Sequence, residues 1–241
     1  MRITEIQVQP LDLHLQTPLT VAYGSYPVLN YALLKIFTDD GLLGLGEASP
    51  DPAVTGETQA IVIAALKKVS ALLIGRDPLD LESILGACRA SIPHAPAGLA
   101  AIDMALYDLI GQSLGVPVYQ LLGGQSRPAV DLYPVIPLDE PLAMAAMSAN
   151  FVEMGASALK VKLSSFPDLD VIRLREICAA VGGSVRLRLD INQGWRDAPT
   201  ALAAIRQLEA FNIEWIEQPV TAADLAGLAA VAAAAEVPIM A

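Results

Sequence analysis

Three short apolar runs in the second half of this chain each end in charged side chains, and they recur at almost equal intervals. Lys160-Val161-Lys162 closes the first, Asp190 the second and Glu217 the third; 162 to 190 is 28 positions and 190 to 217 is 27. That interval is the length of one strand, one helix and two short loops, so it predicts consecutive βα units with the charged groups at successive strand ends. In (β/α)₈ barrels the chemistry sits at the C-terminal ends of the strands. The spacing therefore places two amines and two carboxylates around one mouth.

The pattern either side of these sites fills in the architecture. After Gly123-Gly124, strands expected near 131–136, 158–163, 185–191, 213–217 and 237–241 alternate with helices near 140–154, 168–181, 198–210 and 222–235. Such alternation predicts parallel strands joined by right-handed crossovers. Five strands are fewer than the eight that close a barrel, so residues 125–241 are assigned to an incomplete TIM-type (β/α) barrel, with an open doubly wound sheet as the rival. Residues 1–124 read differently. Alternating runs over 3–15 and 31–37, with Asp40-Gly41 as a hairpin turn into 42–47, give a three-stranded antiparallel meander. Helical patterns follow over 58–73, 79–90 and 99–114, and strands succeeded by helices describe an α+β capping domain. Residues 16–27 and 49–58 are expected to be irregular loops of that domain.

Composition narrows the function. With 26 acids against 15 Lys and Arg and a net charge of -11, the chain has no electrostatic footprint for nucleic acid or an anionic membrane, which leaves small molecules as the expected partners. Cys88 and Cys178 are isolated and the only histidines are His14 and His94, so zinc and disulfide frameworks lack parts. The amino-terminal Met1-Arg2-Ile3-Thr4-Glu5-Ile6 alternates polar and apolar residues without a signal-like core, and a cytoplasmic location is expected. The apolar stretch over 225–235 is too short to span a bilayer.

Lys160 and Lys162 are two apart on a strand, so both side chains leave one face. Two ammonium groups held together disfavour each other's charge, which is expected to lower the pKa of one toward that of a useful base. Asp190 and Glu217, oxygen ligands from separate strands, suit Mg²⁺. Such an ion beside a base stabilises the enediolate formed when a proton leaves the carbon next to a carboxylate. Asn192, two residues beyond Asp190, is expected to support that ligand. A strand lysine could instead form a Schiff base with a carbonyl substrate. The glycines Gly41, Gly44 and Gly46 make a GxxGxG pattern, but they lead into a strand and not a helix, so no phosphate cradle is expected.

With these residues in view, the chain resembles the enolase superfamily in its muconate lactonizing enzyme / mandelate racemase branch, and within it the dipeptide epimerases most. The resemblance rests on Lys160-Val161-Lys162, on Asp190-Ile191-Asn192-Gln193-Gly194-Trp195, on Ile216-Glu217-Gln218-Pro219, and on Ile102-Asp103-Met104-Ala105-Leu106-Tyr107-Asp108-Leu109 and Leu121-Leu122-Gly123-Gly124. It implies a Mg²⁺-dependent racemase or epimerase acting on a dipeptide or other small carboxylate. Lys162 would be the acid/base and Lys160 its electrostatic neighbour. Asp190 and Glu217 would be the first two metal ligands. Val54-Thr55-Gly56-Glu57-Thr58 is similar to a cap loop that touches substrate in dipeptide epimerases, which makes Thr55 and Gly56 candidate substrate contacts. The resemblance also implies a third metal ligand beyond Ala241 and a second acid/base on a later strand. This truncated chain alone is accordingly expected to be weakly active or inactive and to associate with further copies. One-base cycloisomerase or o-succinylbenzoate synthase-like chemistry is an alternative, and a non-enzymatic fragment another.

Overall fold

A computed structural model describes all 241 residues, which divide into two compact units. The first consists of residues 1–14 and 28–129 and the second of residues 15–27 and 130–241.

The first unit is built on an antiparallel sheet of order β1 (Ile3–Val21), β2 (Gly24–Thr38) and β3 (Leu43–Ala48). Its first two strands extend beyond the unit. Ala32, Leu34 and Ile36 alternate into the core with the branched side chains that suit a pleated, half-buried surface. The turn into β3 closes as the Asp40-Gly41 pair predicts: the Gly41 N–H donates to the Thr38 carbonyl at 3.2 Å, with Gly41 at φ 84°. Helices α1 (Gln59–Leu73), α2 (Leu81–Ser91) and α3 (Pro96–Leu114) cover the sheet, and a short α4 (Val118–Leu121) follows. Thr58 caps α1 by accepting from the Ile61 N–H, and Pro96 opens α3 three residues earlier than its apolar pattern suggests. Gly44 and Gly46 have a packing purpose. Their Cα atoms lie directly against α3, and a methyl group at either position would collide with the carbonyl oxygen of Ala105 or Ala101.

Residues 16–27 are not a loop. β1 continues to Val21, turns through Ala22-Tyr23 and returns as β2. Pro18 and Pro27 obscured this in the sequence, but β1 is an edge strand, and β2 is paired to β3 only from Ala32 to Phe37, so neither proline interrupts that pairing. At the hairpin tip the Tyr23 and Tyr26 rings pack edge to face, 6.4 Å between centroids.

The second unit holds a parallel sheet of order β4 (Val135–Ile136), β5 (Ala158–Lys162), β6 (Arg186–Asp190), β7 (Ile213–Glu217) and β8 (Ile239–Met240). The connecting helices are α5 (Pro141–Glu153), α6 (Pro167–Val181), α7 (Ala198–Leu208) and α8 (Leu225–Ala234). The strand order never reverses, whereas a doubly wound sheet has a switch point where it does. Leu159, Val161, Leu163, Leu187, Leu189, Ile191 and Ile216 form one core with Met144, Leu174, Ile177, Ala204, Leu208 and Val231 of the helices. One face of the sheet is thus covered by helices, as in an arc of a TIM barrel, and the other carries the intervening residues. Within residues 131–136 only Val135 and Ile136 pair as a strand; Leu132 is 85% exposed, and Pro134 has no N–H for a ladder. β8 is likewise two residues of the five expected. No helix is long and apolar enough to cross a membrane.

Candidate active site

Alternation along β5 sends Val161 into the helix-facing core and leaves Lys160 and Lys162 on the opposite, inner face. Register then sets their neighbours. Lys162 is level with Asp190, and Asp190 with Glu217, across three consecutive strand ends. Lys162 Nζ donates to Asp190 Oδ2 at 2.6 Å. Lys160 Nζ bridges the two carboxylates, 2.9 Å from Asp190 Oδ2 and 2.8 Å from Glu217 Oε2. Asn192 adds its backbone N–H to Asp190 Oδ1 at 3.0 Å, while its own buried Oδ1 has no partner.

Lys160 does not behave as mutual repulsion alone would suggest. Burial works against the charged form of Lys160, but hydrogen bonds to Glu217 and Asp190, together with their charges, outweigh it and hold its pKa above the ordinary lysine value. The lowering expected of one of the two amines is not found at Lys160. Asp190 mirrors it: burial, at 1% exposure, favours the neutral acid, yet the Lys162 and Lys160 contacts pull its pKa below the usual carboxylate value.

The backbone above this cluster is strained and stitched. Asn192, Gln193 and Gln218 all adopt positive φ, at 48°, 69° and 46°. Each such residue costs roughly 1–3 kcal/mol and persists where surrounding bonds over-determine it. Those bonds are present: Ile191 N–H donates to Glu217 O (3.0 Å), Gln193 N–H to Gln218 O (2.8 Å), Trp195 N–H to Pro219 O (3.1 Å) and Ala222 N–H to Gln193 Oε1 (2.7 Å). The loops after β6 and β7 are one hydrogen-bonded rim.

A second device holds the loop after Lys162. Asp170 of α6, fully buried, accepts from the Ser164 N–H and hydroxyl and from Arg173 Nη1 at 2.9 Å, and Arg173 Nε donates to the Asp139 carbonyl at 2.9 Å. Asp170→Ala leaves Arg173 buried without its counter-charge, which costs about 3–5 kcal/mol. Urea unfolding of the variant is expected to show a loss of that size; a loss under 1 kcal/mol would mean that the network is incidental.

The sequence overlooked the layer beneath the rim. Arg188, also on the inner face, lies between two rings, with its guanidinium carbon 3.1 Å from the Tyr133 centroid and 3.8 Å from that of Trp215. Its Nε donates to Glu214 Oε2 at 2.7 Å, and Arg186 Nη1 donates to Glu214 Oε1 at 3.0 Å. The available signal was parity, since Arg188 precedes Asp190 by two. Thr55 and Gly56 belong to the first unit. They sit in a turn where the Asp51 carbonyl accepts from the N–H groups of Val54, Thr55 and Gly56, with Gly56 at φ 73°.

The donor set fits a hard divalent cation. Asp190 and Glu217 present carboxylate oxygens, the donors such an ion takes, to one point, which the Lys160 ammonium occupies.

Residues 3–123 match the mandelate racemase / muconate lactonizing enzyme N-terminal domain, and residues 143–241 match the enolase C-terminal domain-like family. The chain belongs to this enzyme family. Among its relatives, this mandelate racemase / muconate lactonizing enzyme family member is 35% identical over 241 residues to the N-succinyl-L-Arg/Lys racemase of Bacillus cereus, covering all of this chain and 65% of the racemase. It is 36% identical over 242 residues to the hydrophobic dipeptide epimerase of Enterococcus faecalis, covering 68% of it. The crystal structure of an Enterococcus faecalis V583 dipeptide epimerase, complexed with Mg and the dipeptide L-Leu-L-Tyr, superposes with a TM-score of 0.95 at 36% identity, over 99% of this chain and 67% of that one. The chain thus spans about two thirds of the length of the racemases and epimerases it matches.

Proposed function

We propose that this chain carries the proton-abstracting side of a Mg²⁺-assisted enolising site, acting on the carbon next to a carboxylate in a dipeptide or similarly N-acylated amino acid. The observation that carries the reading is the convergence of Lys160, Lys162, Asp190 and Glu217 on one inner rim. Lys162, in its neutral form, takes the α-proton on Nζ. Lys160 beside it supplies fixed positive charge where the substrate carboxylate gains negative charge. Asp190 and Glu217 would hold Mg²⁺, which when bound contributes the charge that stabilises the enediolate. The strained, cross-bonded loops after β6 and β7 keep these groups from drifting apart.

Residues 130–241 contain only two lysines, both on this face, so the chemistry available to the 241 residues is that of a single base. One base exchanges an α-proton with solvent; inversion needs a second proton donor on the opposite side. Epimerase-type turnover by this polypeptide is therefore slow, and exchange outpaces inversion. Incubating L-Ala-L-Glu and L-Ala-D-Glu with Mg²⁺ in D₂O, and following loss of the α-proton signal separately from epimer formation, tests both halves. Absence of exchange above the Mg²⁺ background would refute the proposed base; inversion as fast as exchange would refute the one-base reading.

A further inference from the structure

The pairing of β6 with β7 contains an irregularity that aims side chains. Leu187 is level with Ile213, but Arg188 is level with Trp215, so Glu214 is an extra residue on β7. Bulges are uncommon in parallel pairs and place neighbouring side chains on one face. Here Glu214 and Trp215 both meet Arg188. Past the bulge, Ile216 returns to the helix-facing core and Glu217 to the inner face beside Asp190.

The arginine held there is a hazard to the rim. Arg188 is 5% exposed and cannot shed its charge. Asp190 lies two positions further along the same strand face, about 6.6 Å at strand rise. Glu217 is the diagonal neighbour, two beyond the Trp215 with which Arg188 is level. A guanidinium reaches both. What occupies it is the Glu214 carboxylate, which takes Arg188 through Oε2 and Arg186 through Oε1.

We propose that Glu214 is a positioning residue for the rim: it detains the Arg188 guanidinium in the layer of Tyr133 and Trp215, and so keeps a permanent cation off Asp190 and Glu217. This rests on the reading of those two carboxylates as a cation site. It assigns the bulge a purpose, since the extra residue adds an acid on the inner face without turning Glu217 away from Asp190.

The test uses the full chain, with Mn²⁺ as the probe, read by the electron paramagnetic resonance of the free ion, and crystal structures of the variants. In Glu214→Gln, Arg188 is expected to bond to Asp190 or Glu217, and Mn²⁺ affinity to fall by about 10- to 100-fold, the usual effect of removing a residue that supports a metal ligand. The Glu214→Gln/Arg188→Met double variant is expected to regain wild-type affinity, because the intruding cation is gone. A merely structural role for Glu214 would leave the double variant as weak as the single one. If Glu214→Gln fails to fold, Arg188→Met alone decides: affinity at or above wild type supports the inference, and a loss overturns it. Arg188 remaining between Tyr133 and Trp215 in Glu214→Gln, clear of both carboxylates, overturns it too. Should wild type bind no Mn²⁺, the cation-site reading fails, while the Glu214→Gln structure still shows where Arg188 goes.

Discussion

Lys162→Met is expected to reduce exchange of the substrate α-proton to the solvent background. A positioned general base contributes roughly 10²- to 10⁴-fold, and no other lysine shares its position at the end of β5 directly level with Asp190. The same substitution should leave cation binding intact or slightly stronger, because it removes an N–H donor that competes for Asp190 Oδ2 at 2.6 Å. The fold should also persist, since Asp190 keeps the Lys160 ammonium and the Asn192 N–H. Exchange and Mn²⁺ titration on one sample separate these effects: full exchange in Lys162→Met would place the base elsewhere, and loss of Mn²⁺ together with exchange would indicate damage to the rim.

Gly46→Ala is expected to destabilise the first unit by about 3 kcal/mol or more, at the upper end of overpacking costs. The new methyl group would meet backbone, the Ala101 carbonyl and its Cα, and backbone cannot rotate away as a flexible side chain can. Relief requires β3 to lift from α3, which loosens the contacts of Ala101, Ile102 and Ala105 with the core. Gly86→Ala is the internal comparison. Gly86 lies within α2, and its added methyl meets nothing within 4 Å, so the alanine should stabilise by about 0.5–1 kcal/mol through lower unfolded-chain entropy. Thermal melts giving both variants the same Tm would contradict the close-approach account.

Periodicity carried most of the fold. The βα alternation after Gly124 was legible because β5, β6 and β7 are short runs alternating apolar with charged residues, and the four helices between the strands each supply apolar residues to the core on one face. What was not legible depended on partners distant in sequence. The hairpin over residues 16–27 was hidden by Pro18 and Pro27, which are tolerated only because those stretches lie outside the β2–β3 pairing, and sequence does not reveal which strands are edges. Equal spacing did place Lys162, Asp190 and Glu217 at neighbouring strand ends. The same alternation, counted from Ile213, would have placed Glu217 and Ile213 on one face. The structure separates them with the Glu214 bulge, which has no composition signature. The raised Lys160 pKa was not legible either, because repulsion between two lysines is a local inference, whereas the carboxylates that act on Lys160 arrive from β6 and β7.

The measurement closest to the central claim is the location of a divalent cation in crystals of the 241-residue chain soaked with Mn²⁺, found by its anomalous scattering. One site is expected, coordinated by both Asp190 and Glu217, with the Lys160 ammonium displaced from between them and Lys162 Nζ left on the same face. A strong peak elsewhere, or Mn²⁺ bound to only one of the two carboxylates while Lys160 still bridges the pair, would contradict it.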